Sequence, residues 1–204
     1  MTLIASISGI RGTIGGKRGG GLTPVDTVNY TTAFAQLLLT QNAANKKIVI
    51  GRDARVSGHM VSQLVCGTLI GMGFDVVDLG LATTPTVEVT VTEEQAAGGI
   101  ILTASHNPAQ WNALKLLNAK GEFISAEDGA TMLQLAGEQN YDFATIDKIG
   151  SYSQRNDALD KHIEAILALP LVDAQAIANK NFKIAIDAVN SVGGIAVPRL
   201  LKAL

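Results

Sequence analysis

The chain predicts an α/β fold: a three-layer α/β/α domain around a mixed, mostly parallel sheet, followed by the start of a second α/β unit. Three observations predict it. Apolar runs of strand length alternate with helical patterns over the first 140 residues, the signature of strands joined by crossover helices. Apolar residues make up 47% of the chain but aromatics only 4%, so the core is built from Val, Ile, Leu and Ala, as in strands buried on both faces. Cap and turn residues stand where one periodicity gives way to the next.

Leu3 to Ile7 reads as a short strand. Residues 8–21, rich in glycine, read as a mobile surface loop carrying Arg11, Lys17 and Arg18. A P-loop is excluded, because Gly16-Lys17 is followed by Arg18 rather than Ser or Thr and the upstream glycine spacing is wrong. Arg11 stands apart: between glycines, its guanidinium fork suits the holding of a phosphate. Thr23-Pro24, with Asp26 in the first turn, starts a helix that runs to about Gln41. Lys47 to Gly51 is the next strand. In the loop from Gly51 to Gly58, Arg52, Asp53 and Arg55 are of a type to bind substrate, but their alternating charges favour mutual pairing that braces the loop against the active site. Ser57 is expected to cap a helix ending near Met72, with Gly73 closing it.

Phe74 to Leu79 is a strand, and Thr83-Thr84-Pro85-Thr86 caps a short helix to about Gln95. Two apolar runs follow, Gly99 to Leu102 and Asn112 to Leu117; their connection is too short for a crossover, so they are expected to pair antiparallel. Asn118 to Gly121 is a turn, and Ser125 with Asp128 forms a capping-box pattern for a helix to about Gln139. Residues 140–152 are polar and suit a linker. Asp157 to Leu169 is an amphipathic helix with Leu159, Ile163, Ile166 and Leu167 on one side and His162 expected toward solvent. Phe182 to Val189 reads as the first strand of a new unit, turning at Asn190 to Gly194 into a helix. The expected organisation is therefore a first domain over 1–140, a linker and connecting helix over 141–180, and the opening of a second domain over 181–204.

Composition narrows the function. With 16 basic and 18 acidic residues the net charge is −2, which gives no support to nucleic-acid or membrane-surface binding. The single cysteine, Cys66, excludes an internal disulfide framework and reads as a small buried hydrophobe. No secretory leader pattern or membrane-length apolar run is present, so a soluble cytoplasmic protein is expected.

Chemistry concentrates between the two apolar runs. Thr103-Ala104-Ser105-His106-Asn107-Pro108 offers a hydroxyl, an imidazole and an amide in consecutive positions, with the Lys115 amine ten residues beyond Ser105. A loop clamped between two core strands is held rigidly enough for positioned chemistry. Ser and His together suggest a nucleophile pair, although neighbours on an extended loop point apart and a Gly-x-Ser-x-Gly elbow is absent. The plainer alternative is a turn whose Ser and Asn cap local backbone groups.

The full string Thr103-Ala-Ser105-His106-Asn107-Pro108, with Asn112-Ala-Leu-Lys115, resembles the phosphoserine loop of the α-D-phosphohexomutases, the family of phosphoglucomutase, phosphomannomutase and phosphoglucosamine mutase. Ser8-Gly-Ile-Arg11-Gly12, Gly51-Arg-Asp53-Ala-Arg55-Val-Ser57-Gly58 and Thr84-Pro85-Thr86 match the same family in its order and spacing. The resemblance is strong over residues 1–140 and weaker over 182–194. It implies interconversion of hexose 6-phosphate and hexose 1-phosphate through a bisphosphorylated hexose, with Ser105 as the phosphoserine. It also implies that Arg11 lies beside the phosphate, that Lys115 is the general acid/base, and that His106 and Asn107 contact phosphate or hydroxyl. The implied cofactor is Mg²⁺, held through the Ser105 phosphate and three aspartates of an Asp-Gly-Asp-Gly-Asp-Arg loop. This sequence has no such loop; Asp187 precedes its place without replacing it. The segment is therefore expected to carry the first domain and the opening of the second, and to be inactive as a mutase alone. A non-catalytic phosphosugar-binding module is the alternative. A nucleotide-binding doubly wound domain is disfavoured, since no Gly-x-Gly-x-x-Gly follows the first strand. The identity of the hexose and the oligomeric state are left open.

Overall fold

A computed structural model describes residues 1–6, 9–41 and 45–204. Its centre is one seven-stranded mixed sheet in the order β1-β2-β6-β5-β3-β4-β7. The strands are β1 (Ile4–Ser6), β2 (Gly9–Thr13), β3 (Lys47–Arg52), β4 (Asp75–Leu81), β5 (Gly98–Leu102), β6 (Trp111–Leu117) and β7 (Tyr152–Gln154). β5, β3, β4 and β7 run parallel, whereas β1, β2 and β6 form an antiparallel ribbon joined to β5.

Helices α1 (Pro24–Thr40), α2 (Gly58–Gly71) and α4 (Ala126–Glu138) cover one face, and α3 (Thr84–Glu93) lies on the other. Strand alternation divides the core accordingly. Ile48, Ile50, Ile100, Leu102, Leu114 and Leu116 pack with Phe34, Val61, Leu69 and Met132 beneath the first layer. Val49, Val77, Ile101 and Leu117 pack with Val87 and Val91 of α3. Each fully buried Ile, Leu or Val contributes about 1.5–3 kcal/mol.

The helix starts follow their cap residues. Thr23 accepts from the Asp26 N–H while the Asp26 carboxylate accepts from the Thr23 N–H at 3.2 Å, and Pro24 opens α1. Ser125 and Asp128 make the same reciprocal pair at α4. Thr83 caps α3, and Gly73, at φ +85°, follows the end of α2. Cys66 is buried beside Ser62, and burial pushes its thiol up to about 11, as suits a small core hydrophobe.

The structure corrects several expectations. The segment read as loop over 8–21 contains β2, paired with both β1 and β6. Its glycines hid the strand, yet Gly9 is required there: its φ is +115°, and a Cβ would stand 2.5 Å from the Leu114 carbonyl oxygen. Ile7 and Ser8 lie outside the described residues. Ser57 makes no capping bond to α2, because its Oγ accepts from the Asn112 side chain at 2.9 Å. The segment 140–152 is irregular but not free. Ala144 and Gly150 donate to the carbonyls of Gly71 and Ile70, and the chain then enters the sheet as β7. Arg155 fixes it there through Glu93, Glu94 and Asp157 at 2.7–2.9 Å, and Glu93 with Asp157 holds the guanidinium pKa above its ordinary value.

Beyond β7 come α5 (Ala158–Leu167), α6 (Ala174–Asn179) and α7 (Gly193–Ala203). His162 does not face solvent freely: its Nδ1 lies 3.0 Å from the Thr86 hydroxyl, where α5 packs on α3, and burial lowers its pKa. Phe182 to Val189 is not a strand. Among the described residues no strand pairs with it, and Phe182, Ile184 and Ile186 are exposed. An apolar run without a ladder partner has nothing to satisfy its backbone as a strand.

Candidate active site

The site follows from where α3 stops. α3 covers the sheet face over β3, β5 and the Leu117 end of β6, and leaves the part around Arg11, Ala113 and Lys115 open. On that uncovered part the pairing register sets Arg11 opposite Ala113, and alternation places Lys115 on the same side. The turn from β5 to β6 rises at its edge. A cleft of about 450 Å³ results, lined by Arg11, Ser105, His106, Asn107 and Lys115 over a floor that includes Ala113, Phe123 and Ile124.

The Lys115 Nζ donates to the Ser105 Oγ at 2.9 Å, and the Phe123 ring centroid lies 5.9 Å from the same ammonium. Thus five residues singled out from sequence, Arg11, Ser105, His106, Asn107 and Lys115, converge on one cleft, and none of its lining residues carries a carboxylate. The excess of basic groups suits an anion. Phe123 was not singled out. Its signal lay in the Asn118–Gly121 turn, which folds the chain back on β6 and pairs Leu117 with Phe123.

The serine loop is held from outside the cleft by the loop over 53–57. Asp53 accepts from the Arg55 side chain at 3.1 Å and from the Thr103 hydroxyl at 2.7 Å. Arg55 donates to the carbonyls of Ser105, Asn107, Pro108 and Trp111 at 2.8–3.0 Å. Arg52 donates to the Asp53 carbonyl at 3.2 Å. Of the predicted mutual pairing, Asp53 with Arg55 is present and Arg55 braces the loop; Arg52 reaches only the Asp53 backbone carbonyl and forms no ion pair among the described residues. Buried Asn112 adds the bond to Ser57 that displaced the expected helix cap. Ser105 sits at φ +52°, an unusual backbone for a serine, and the brace bears on its own carbonyl.

A magnesium ion does not find its ligands here. Among the described residues no three His, Cys, Asp or Glu side chains gather as a metal site, and the cleft lining offers no carboxylate, the charged protein donor by which such an ion is usually anchored beside phosphate and water. Asp187 uses its carboxylate locally, accepting from the Val189 N–H at 2.9 Å.

Sheet order, cleft and serine loop together define a domain built to present a serine beside basic side chains. Residues 4–141 match the family model described as phosphoglucomutase/phosphomannomutase, alpha/beta/alpha domain I, and the chain belongs to that family. It is 33% identical over 183 residues to a phosphoglucomutase/phosphomannomutase of Thermococcus kodakarensis, covering 90% of this chain and 40% of that protein. It is 31% identical over 205 residues to a phosphoglucosamine/phosphogalactosamine mutase of Sulfurisphaera tokodaii, covering 100% of this chain and 43% of the relative. The fold matches a phosphoglucomutase/phosphomannomutase family protein from Burkholderia thailandensis with a TM-score of 0.75 at 24% identity, over 100% of this chain and 43% of that structure. The chain thus spans about two fifths of the length of these relatives. No helix among the described residues is long and apolar enough to cross a membrane.

Proposed function

We propose that this chain carries the serine half of a phosphohexomutase, an intramolecular phosphotransferase that interconverts hexose 6-phosphate and hexose 1-phosphate in the cytoplasm. The observation that carries the reading is the 2.9 Å contact between Lys115 Nζ and Ser105 Oγ in a cleft lined by basic and amide groups. Phosphoryl transfer asks chiefly for positioning and charge neutralisation, and those residue types supply both.

When Ser105 is loaded from a bisphosphorylated hexose, Oγ bonds to phosphorus as the bond from phosphorus to the sugar oxygen breaks. For this transfer Lys115 enters as the neutral amine: it takes the Oγ proton as the serine–phosphorus bond forms and, now an ammonium, delivers it to the departing sugar oxygen. In the reverse transfer the serine leaves and recovers a proton from Lys115. Arg11 neutralises the phosphoryl charge, while His106 and Asn107 hydrogen-bond to phosphate or hydroxyl. Magnesium enters the family scheme through the serine phosphate, and the described residues supply no carboxylate set for it. The same shortfall supports the view that these 204 residues alone do not complete mutase turnover.

Incubation with a bisphosphorylated hexose followed by phosphopeptide mapping tests the reading. Phosphate is expected on Ser105, absent in Ser105→Ala, and acquired about 10²–10⁴-fold more slowly in Lys115→Ala. Phosphate on Ser57 or Ser125, or none on any serine, would overturn the assignment. Hexose-phosphate binding without serine phosphorylation would favour a binding module instead.

A further inference from the structure

The contacts of Arg55 carry a consequence for the far side of the serine loop. Its guanidinium holds the Ser105 carbonyl oxygen at 2.9 Å, and Arg55 is not among the residues lining the cleft, whereas Ser105 and His106 are. In a trans peptide the carbonyl oxygen and the following N–H point in opposite directions, and the chain has no cis peptide among its described residues. The N–H of His106 is therefore turned away from Arg55. Among the described residues it has no hydrogen-bond acceptor, while its neighbours are used: the Ser105 N–H donates to the Thr103 hydroxyl at 3.1 Å and the Asn107 N–H to the Ala104 carbonyl at 3.0 Å.

We infer that Arg55 is a positioning residue that sets the Ser105–His106 peptide so that the His106 backbone N–H faces the cleft as a donor to a phosphoryl oxygen at Ser105. The inference rests on the phosphotransfer reading for its purpose but not for its geometry. Four carbonyls gathered on one guanidinium also draw the negative ends of the loop's dipoles toward Arg55 and away from the anion's place. The left-handed Ser105 backbone, costly for a residue with a Cβ, is the conformation that presents the hydroxyl and the neighbouring N–H together, and Arg55 holds it. Lysine would not replace it, since one ammonium cannot span four carbonyls as a planar five-donor fork does.

Inorganic phosphate is the probe, so the test does not depend on covalent loading. Titrated into ¹⁵N-labelled protein and followed by NMR, phosphate should move the His106 amide resonance downfield, together with signals of Arg11 or Lys115. In Arg55→Gln the His106 shift should be lost and phosphate affinity should fall about tenfold, with partial recovery in added guanidinium, while the amides of Ile100 and Ile101 keep their hydrogen-exchange protection. Guanidinium rescue is a readout that a merely structural role would not give. Should Arg55→Gln fail to fold, Arg55→Lys takes its place, with the same loss of the His106 shift expected, and an unchanged His106 response in that variant overturns the role of Arg55. Phosphate that binds without moving the His106 amide, or that fails to bind, overturns the inference. Loading of Ser105 by a bisphosphorylated hexose is read separately: its failure removes the mutase assignment and leaves the amide result to stand or fall by itself.

Discussion

β5 and the segment from Phe182 to Ile186 are close in character and opposite in fate. Both are short, and both carry two isoleucines among mostly small or apolar neighbours, Lys183 being the one charge in the later segment. β5 lies between β3 and β6 with every residue buried. The later segment meets no strand among the described residues, and its side chains stand in solvent. The difference teaches that a strand is a relation between segments. The residues supply a surface that fits a pleated sheet, and partners on both sides turn it into structure.

Hydrogen exchange gives this contrast its largest expected effect. Amides of Ile100 to Leu102 should open only with the whole domain, and those of Lys183 to Ile186 at close to unprotected rates. The expected gap is at least about 10³-fold. Equal protection in the two segments, independent of protein concentration, would break the comparison. Protection of 183–186 that rises with concentration would sharpen it, by showing that another copy can act as the missing partner.

The same contrast can be read from one side-chain type. Ile101 is almost fully buried against α3, and Ile186 is exposed. Ile101→Ala should cost about 2–5 kcal/mol through lost burial and the cavity left behind. Ile186→Ala should stay within about 0.5 kcal/mol. Urea denaturation of the two variants checks both values. A large loss for Ile186→Ala would reveal packing around 182–186 that the structure does not contain.

These cases also show what the sequence could and could not disclose. Local signals were reliable where one residue decides its own surroundings: Thr23 and Ser125 cap α1 and α4 as their patterns indicate. The serine loop was legible because it is a break between two strong apolar runs, and Arg11, Ser105 and Lys115 reach one cleft as their motifs suggest. Properties set by distant partners were not legible. β2 was hidden by glycines whose strand character comes from Leu114 and its neighbours across the sheet. Ser57 lost its capping role to Asn112, 55 residues away. Arg55 was expected to pair with Asp53, and it does, but its four carbonyl contacts arise only when the loop over 105–111 folds over it. Phe123 enters the cleft through a hairpin return rather than a motif.

The smallest effect concerns a boundary that joins covered and uncovered parts, where α5 packs on α3. His162 reaches the Thr86 hydroxyl there, beside a small cavity lined by Leu159, Ile166, Val197 and Leu200 and by no other titratable group. Burial holds its imidazole below the ordinary value of 6.5. The unfolded chain therefore accepts this proton at a higher pH than the native one. Above about 6.5 both states leave the ring neutral, and its packing contributes fully. As pH falls below that value the unfolded state binds the proton first, so stability is lost progressively toward the lower native pKa. The ring keeps part of its surface in water, so the effect is screened and amounts to about 1–2 °C in Tm. Thermal unfolding of wild type and His162→Gln, from pH 7.5 to 5, isolates the contribution because both proteins share the other two histidines, His59 and His106. The gap between them should narrow as pH falls. A gap that widens on acidification would mean that the charged ring is the better-held form, and that the contact with α3 is made by an imidazolium.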